Sequence, residues 1–180
     1  MTIISFINSA LSLLVVLSNI LLIFVVVCFI FFRKKLNSIF DFIGKNGLLF
    51  AFIVSLVATL GSLFYSEIAG YEPCKLCWLQ RIFMYPQTIL LGIALWRKDR
   101  NIGLYGLVLS IIGGLIAGYH YVMQLGLVPS LPCSAVGYSV SCTQRFVLQF
   151  GYITMPMMAF TAFTLIIVSL FFYNLHNKNI

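Results

Sequence analysis

The chain has 180 residues, of which 62% are apolar, 16% aromatic and only 8% charged, with a mean hydropathy of +1.07. A soluble globular domain carries about 25% charged residues; this chain lacks the polar surface to coat a water-exposed particle, which excludes a soluble enzyme or a nucleic-acid-binding domain. Its net charge of +7 sits in short basic clusters between apolar runs, the pattern of cytoplasmic loops, and places the chain in a lipid bilayer.

A helix needs about 20 residues to cross a hydrocarbon core of roughly 30 Å, and five runs qualify. The first, Ile3 to Phe32, holds no charge, has no basic residues ahead of it and shows no small-residue cleavage pattern before Arg33, Lys34 and Lys35. It therefore reads as a retained membrane helix, not a cleaved signal. The others are Gly47 to Ser66, Leu76 to Trp96, Ile102 to Met123 and Phe146 to Tyr173. All are apolar on every side, unlike the alternating segments of about ten residues in a transmembrane β-barrel. The predicted fold is an all-α membrane protein: a four-helix transmembrane bundle core (47–180) and one extra N-terminal transmembrane helix with its basic loop (1–46).

Arg33, Lys34, Lys35 and Lys45 follow the first run, Arg97, Lys98 and Arg100 follow the third, and Lys178 lies in the tail. If all five runs span, these eight of eleven positives lie on one side, which the positive-inside rule makes the cytoplasm. The N-terminus, the loop from Glu67 to Cys77 and the loop from Gln124 to Arg145 then face outward, and the C-terminus inward.

Four of the five cysteines, Cys74, Cys77, Cys133 and Cys142, fall in or beside the two outward loops, where disulfides persist. Two structural staples are one reading. Against it, a bond across Cys74-Lys75-Leu76-Cys77 closes so short a loop that it adds little stability through chain entropy. Cys-X-X-Cys is also the spacing of exchangeable redox pairs whose thiolate lies at a helix N-terminus. Pro73 fits the first turn of the third helix, so the helix dipole and Lys75 should both lower thiol pKa values. A four-thiolate zinc site is the competing chemistry, although eight residues separate Cys133 from Cys142 where two to four are usual; no metal site is expected.

Arg81 follows Cys77 by four residues, on the same helical face and roughly 6 Å along the axis. It is either a snorkelling side chain or a functional intramembrane charge. His120, near the outer end of the fourth run, and Gln149, near the outer start of the fifth, reach a similar depth. Together the three could ring a pocket beside the cysteines. A dithiol in a membrane needs a lipid-soluble electron acceptor, and a quinone fits: the arginine would stabilise charge developing on quinone oxygen and the histidine would supply a hydrogen bond or proton. Pro86 and Pro156 are expected to free the carbonyls of Ile82 and Tyr152, kinking their helices and widening this end of the bundle.

Cys74-Lys75-Leu76-Cys77-Trp78-Leu79-Gln80-Arg81 at the head of a membrane helix, followed by a second cysteine pair in the next outward loop, resembles the DsbB family of disulfide-generating membrane proteins. The short second loop, Pro132-Cys133 to Cys142, and the stretch Phe150 to Phe160 resemble its BdbC-like branch. The resemblance implies a protein dithiol:quinone oxidoreductase of the bacterial inner membrane. In that route Cys133 and Cys142 oxidise a DsbA-like thioredoxin-fold carrier, with Cys133 facing the partner. Cys74 and Cys77 reoxidise them and hand the electrons to ubiquinone or menaquinone from the membrane pool, with Cys77 facing the quinone. Vitamin K epoxide reductase relatives share these parts but carry Cys-X-X-Cys after the loop pair, whereas here it comes first. A transporter or metal-handling protein with loop-stapling cysteines is the alternative from another class.

Gly106, Ser110, Gly114 and Gly118 form a small-residue stripe on the fourth run that invites close helix packing. Cys28, alone in the extra helix, is expected to be an ordinary apolar-environment thiol.

Overall fold

The apolar runs become α1 (Thr2–Phe32), α2 (Asn37–Leu63, continued by a π-helical turn, Phe64–Ile68), α3 (Lys75–Arg97), α4 (Ile102–Gln124) and α5 (Met155–Lys178). The computed structural model describes residues 2–32, 37–99, 101–129 and 141–178; Cys133, Arg33, Lys34, Lys35 and Arg100 lie outside them. Helices α1, α2, α4 and α5 are long and apolar enough to cross a membrane. Helix α3 equals α4 in length, at 23 residues, and carries Gln80, Arg81 and Gln87 among its apolar residues. The chain is a multi-pass helical membrane protein.

Three boundaries differ from the sequence expectation. Helix α2 starts ten residues before Gly47, at Asn37, and its polar first turns are held by α5: Asp41 pairs with His176 at 2.7 Å. Helix α5 starts at Met155, not Phe146. Before it, Gln149 and Ile153 exchange backbone hydrogen bonds of 3.0 and 2.9 Å around Phe150 (φ 51) and Gly151 (φ 78), whose left-handed backbone cannot continue an α-helix. Pro156 therefore lies in the first turn of α5, where a missing N–H leaves no helical bond unmade. The expected kink there is not formed, and the Tyr152 carbonyl accepts a bond from the Tyr121 hydroxyl at 3.3 Å. Pro86 does lie inside α3. Pro73 precedes the cap of α3 instead of occupying its first turn: the N-cap is Cys74, with extended backbone (φ −71, ψ 171).

Helices α2, α3, α4 and α5 close a ring through the neighbour pairs α2–α3, α3–α4, α4–α5 and α2–α5, and α1 leans on α5 from outside. The core is formed by Leu48, Ala51, Met84, Leu91, Ala117, Phe163, Ile166 and Leu170. In lipid, such packing is driven by close contact and interhelical hydrogen bonds rather than by release of water. The small residues of α4, Gly106 of the stripe and Gly113 beside it, supply the close contact. A Cβ at Gly113 would collide with the Phe163 ring, and one at Gly106 would lie 2.8 Å from Leu170. Buried Gln87 of α3 donates to Ser110 Oγ (2.5 Å) and Gly106 O (3.2 Å) of α4. Thr59 and Thr88 join α2 to α3 at 2.9 Å. Thr161 of α5 donates to Asn19 Oδ1 of α1 at 3.0 Å. Such interhelical bonds are worth on average about 0.6 kcal/mol each.

Candidate redox site

The head of α3 carries the thiol pair. Cys74, as N-cap, stands just outside the helix, and Cys77 follows one turn later; their sulfurs are 3.0 Å apart and both are free thiols. Cys74 is buried, packed with Leu76, Met123 and Cys142, and its carbonyl accepts the first helical bond from Trp78 N–H at 3.0 Å. Its pKa is pushed down to about 4, chiefly by the hydrogen bond with Cys77; burial opposes the shift, and a hydrogen bond from His120 adds to it. Cys74 is thus the thiolate of the pair at neutral pH, the nucleophilic form of a cysteine.

His120 is 1% exposed and connects the two cysteine pairs. The Gln80 side-chain amide donates to its Nδ1 at 3.0 Å, so the ring proton of the neutral imidazole sits on Nε2. That N–H faces the Cys142 carbonyl at 3.0 Å and the Cys74 sulfur at 3.7 Å. Cys142 is buried and disulfide-bonded. The histidine thus seats the backbone of a disulfide directly over the thiolate.

On the other side, Cys77 and Arg81 border a cavity of about 430 Å³ that reaches between α1, α2, α3 and α5. Arg81 donates to Ser62 Oγ (3.0 Å) and Ser62 O (3.1 Å) and lies 5.2 Å from the Trp78 ring and 6.0 Å from the Tyr85 ring. Tyr85 donates to the same Ser62 hydroxyl at 3.1 Å. No described carboxylate lies within ion-pair distance of Arg81; its direct partners are the Ser62 oxygens and the two ring faces, and Glu72 and Arg145 line the same cavity.

The family profile described as "Disulfide bond formation protein DsbB" matches residues 44–173. The chain belongs to the DsbB family. Its relatives include a "Probable disulfide formation protein C" of Bacillus cereus, 46% identical over 71% of this chain and 91% of the relative. The "Disulfide bond formation protein C" of Bacillus subtilis is 42% identical over 69% and 91%, and a "Probable disulfide formation protein C" of Halalkalibacterium halodurans is 43% identical over 69% and 90%. No solved structure matches significantly. As a DsbB-family member with this thiol site, the chain is a disulfide-generating membrane protein with an oxidoreductase role. The family match begins after α1, at residue 44.

Of the residues singled out in the sequence, Cys74, Cys77, Cys142, Arg81 and His120 converge, with Arg81 on the cavity side and His120 on the side of Cys142. The expected ring of three around one pocket is not formed: neither His120 nor Gln149 borders the cavity, His120 being turned to Cys74 and Cys142 and Gln149 belonging to the turn before α5. Sequence reasoning missed Ser62, Gln80 and Tyr85. Ser62 and Gln80 were polar residues within or beside spans, a signal that was available. The ligand atoms of Cys74, Cys77 and His120 lie within 4.8 Å of one another, a metal-compatible donor set that the sequence reading did not expect. The four-thiolate zinc alternative loses Cys142 to its disulfide.

Proposed function

We propose that the chain is a dithiol:quinone oxidoreductase that reoxidises a DsbA-like thioredoxin-fold carrier and delivers the electrons to a membrane quinone. The observation that carries this reading is the position of one thiol pair between a disulfide and a largely apolar cavity that holds Arg81 without a direct ion-pair partner. The donor set fits a quinone: Arg81 and Cys77 border the cavity, and the remaining lining is largely apolar. A bound quinone would supply the sink for two electrons and two protons.

The rest is the work of the protein's own groups. The carrier's two thiols are oxidised to a disulfide as the Cys133–Cys142 disulfide is reduced to two thiols. That pair is restored when Cys74–Cys77, in its disulfide form, takes the same two electrons and two protons. Thiolate attack on a disulfide sulfur carries each exchange; His120 holds the Cys142 backbone in reach of Cys74 and steadies its thiolate. Arg81 stabilises negative charge developing on the acceptor oxygen. We place the chain in the bacterial inner membrane with its N-terminus and both cysteine pairs outside and its C-terminus in the cytoplasm. Residues 47–180 form the redox unit and 1–46 an added membrane helix with its loop.

Purified full-length protein mixed with excess reduced thioredoxin-fold carrier under anaerobic conditions should consume carrier thiols beyond the stoichiometric amount its own disulfides accept only when a ubiquinone or menaquinone analogue is present. Catalytic thiol loss beyond that stoichiometry in the absence of quinone would sink the reading. An impermeant thiol reagent on intact, reduced spheroplasts should label Cys133 and Cys142, and labelling only after permeabilisation would reverse the orientation. The Cys74, Cys77 and His120 donors favour a second reading, capture of a soft metal ion by the reduced site. It predicts stoichiometric zinc binding that His120→Ala abolishes.

A further inference from the structure

Helix α1 lies outside the region matched by the DsbB family, yet it completes the cavity. Leu11, Leu14, Val15 and Ser18 of α1 line it. Its polar end is fixed by Cys77, Arg81 and Ser62. Leu11 lies level with that end, because a Cβ on Gly61, next to Ser62, would stand 3.8 Å from Leu11 Cδ1. Ser18 is seven residues farther along α1, about 10 Å. On the facing wall, the α2 lining runs from Ser62 to Ile53, about 13 Å of helix. The cavity is therefore elongated, polar beside the thiols and mostly apolar beyond, where Ser18 and Thr161 are the polar lining residues, the shape of a head group with a hydrocarbon tail.

The docking of α1 is specific. Ser12 is fully buried and Val15 nearly so, while Leu13, Leu17, Ile20 and Leu21 between and around them are exposed. Asn19, one turn past Val15 on the same face, accepts the Thr161 hydroxyl of α5 at 3.0 Å. Val15 belongs both to this docked face and to the cavity wall, and Leu11, Leu14 and Ser18 continue the wall at helical spacing beside it, with Leu14 half-exposed.

We infer that α1 is the wall of the tail-binding half of the acceptor cavity and determines which quinone tails the protein accepts. The inference rests on the quinone reading above. It gives the added helix a role in acceptor specificity, with Leu11, Leu14 and Val15 as determinants.

The test uses the purified full-length chain and a ubiquinone analogue with a photoreactive diazirine at the end of a decyl tail. After irradiation, adducts that unlabelled ubiquinone competes away should map to residues 11–18. Competed adducts confined to α2, α3, α4 or α5 would overturn the role of α1 and leave the quinone reading standing. If no competed adduct forms and no quinone supports thiol oxidation, both fall. In a second arm, Leu14→Trp, at a half-exposed position, should raise KM for the decyl-tailed quinone by about tenfold, the scale of a misfitted apolar pocket. It should leave kcat and the KM for a tail-less quinone unchanged. Leu13→Trp, on the lipid side, should change neither. Equal effects of Leu14→Trp on both acceptors, or none on either, would overturn the assignment.

Discussion

Cys74 and Cys77 both border the cavity, but Cys74 is buried against His120, Met123 and Cys142, whereas half-buried Cys77 shares its helical face with Arg81. The difference begins in the backbone. Cys74 is a cap with extended geometry, so its side chain is free of the helical register and turns toward the loop that carries Cys142. Cys77 is inside α3, where a spacing of four residues sets it over Arg81. A Cys-X-X-Cys that straddles a helix start thereby faces two chemistries at once: exchange with another disulfide on one side, and delivery to a lipid-soluble acceptor on the other.

If that division is right, the largest effect comes from Cys77→Ser, which should abolish quinone reduction while Cys74 remains able to form a mixed disulfide with Cys142 or Cys133. Wild-type quinone reduction by the variant would erase the distinction between the two sulfurs. Arg81→Ala should lower quinone reduction about a hundredfold, or about 3 kcal/mol, with thermal stability little changed. Arg81→Lys should recover part of this, since a lysine keeps the charge but lacks the fork that holds Ser62. Rates equal to the parent in Arg81→Ala would remove the arginine from the acceptor side.

On the other side, His120→Ala should slow exchange between the two cysteine pairs more than it slows reduction of quinone by a pre-reduced Cys74/Cys77 pair. The pH response follows from Cys74. Its depressed pKa keeps the thiolate present above about 4, and acidification through that value protonates it and removes its nucleophilicity. Thiolate ultraviolet absorbance of the reduced protein should thus titrate near pH 4, and His120→Ala should move the midpoint upward. An unmoved midpoint would leave the histidine a packing role alone. The smallest effect is expected for Thr161→Val, which removes the bond to Asn19 and should cost about 0.6 kcal/mol, read as a slight fall in thermal stability.

The helical class, the four-helix core and the convergence of Arg81 and His120 on the cysteines could be read from run lengths, charge placement and the Cys-X-X-Cys-to-Arg spacing, because these depend on helical periodicity and depth alone. What escaped depends on tertiary pairing. Asp41 and His176, 135 positions apart, extend α2 beyond its apolar stretch. A left-handed Phe150, a residue that carries no such preference, moves the start of α5 by nine residues and takes Gln149 away from the cavity. Ser62 is one serine among several in apolar runs, and its role appears only when α2 lies beside Arg81. Gln80 was visible in the motif, but its partner His120 is 40 residues away.

The central claim, that Cys74 and Cys77 deliver electrons into the cavity beside Arg81, is tested most directly without any carrier. Protein reduced at Cys74 and Cys77, mixed anaerobically with a ubiquinone analogue, should yield one quinol for each Cys74–Cys77 disulfide found by mass spectrometry. The two electrons and two protons lost by the thiols would all be recovered on the quinone. Disulfide formation without quinol, or quinol formation at the parental rate by Cys77→Ser, would contradict the account.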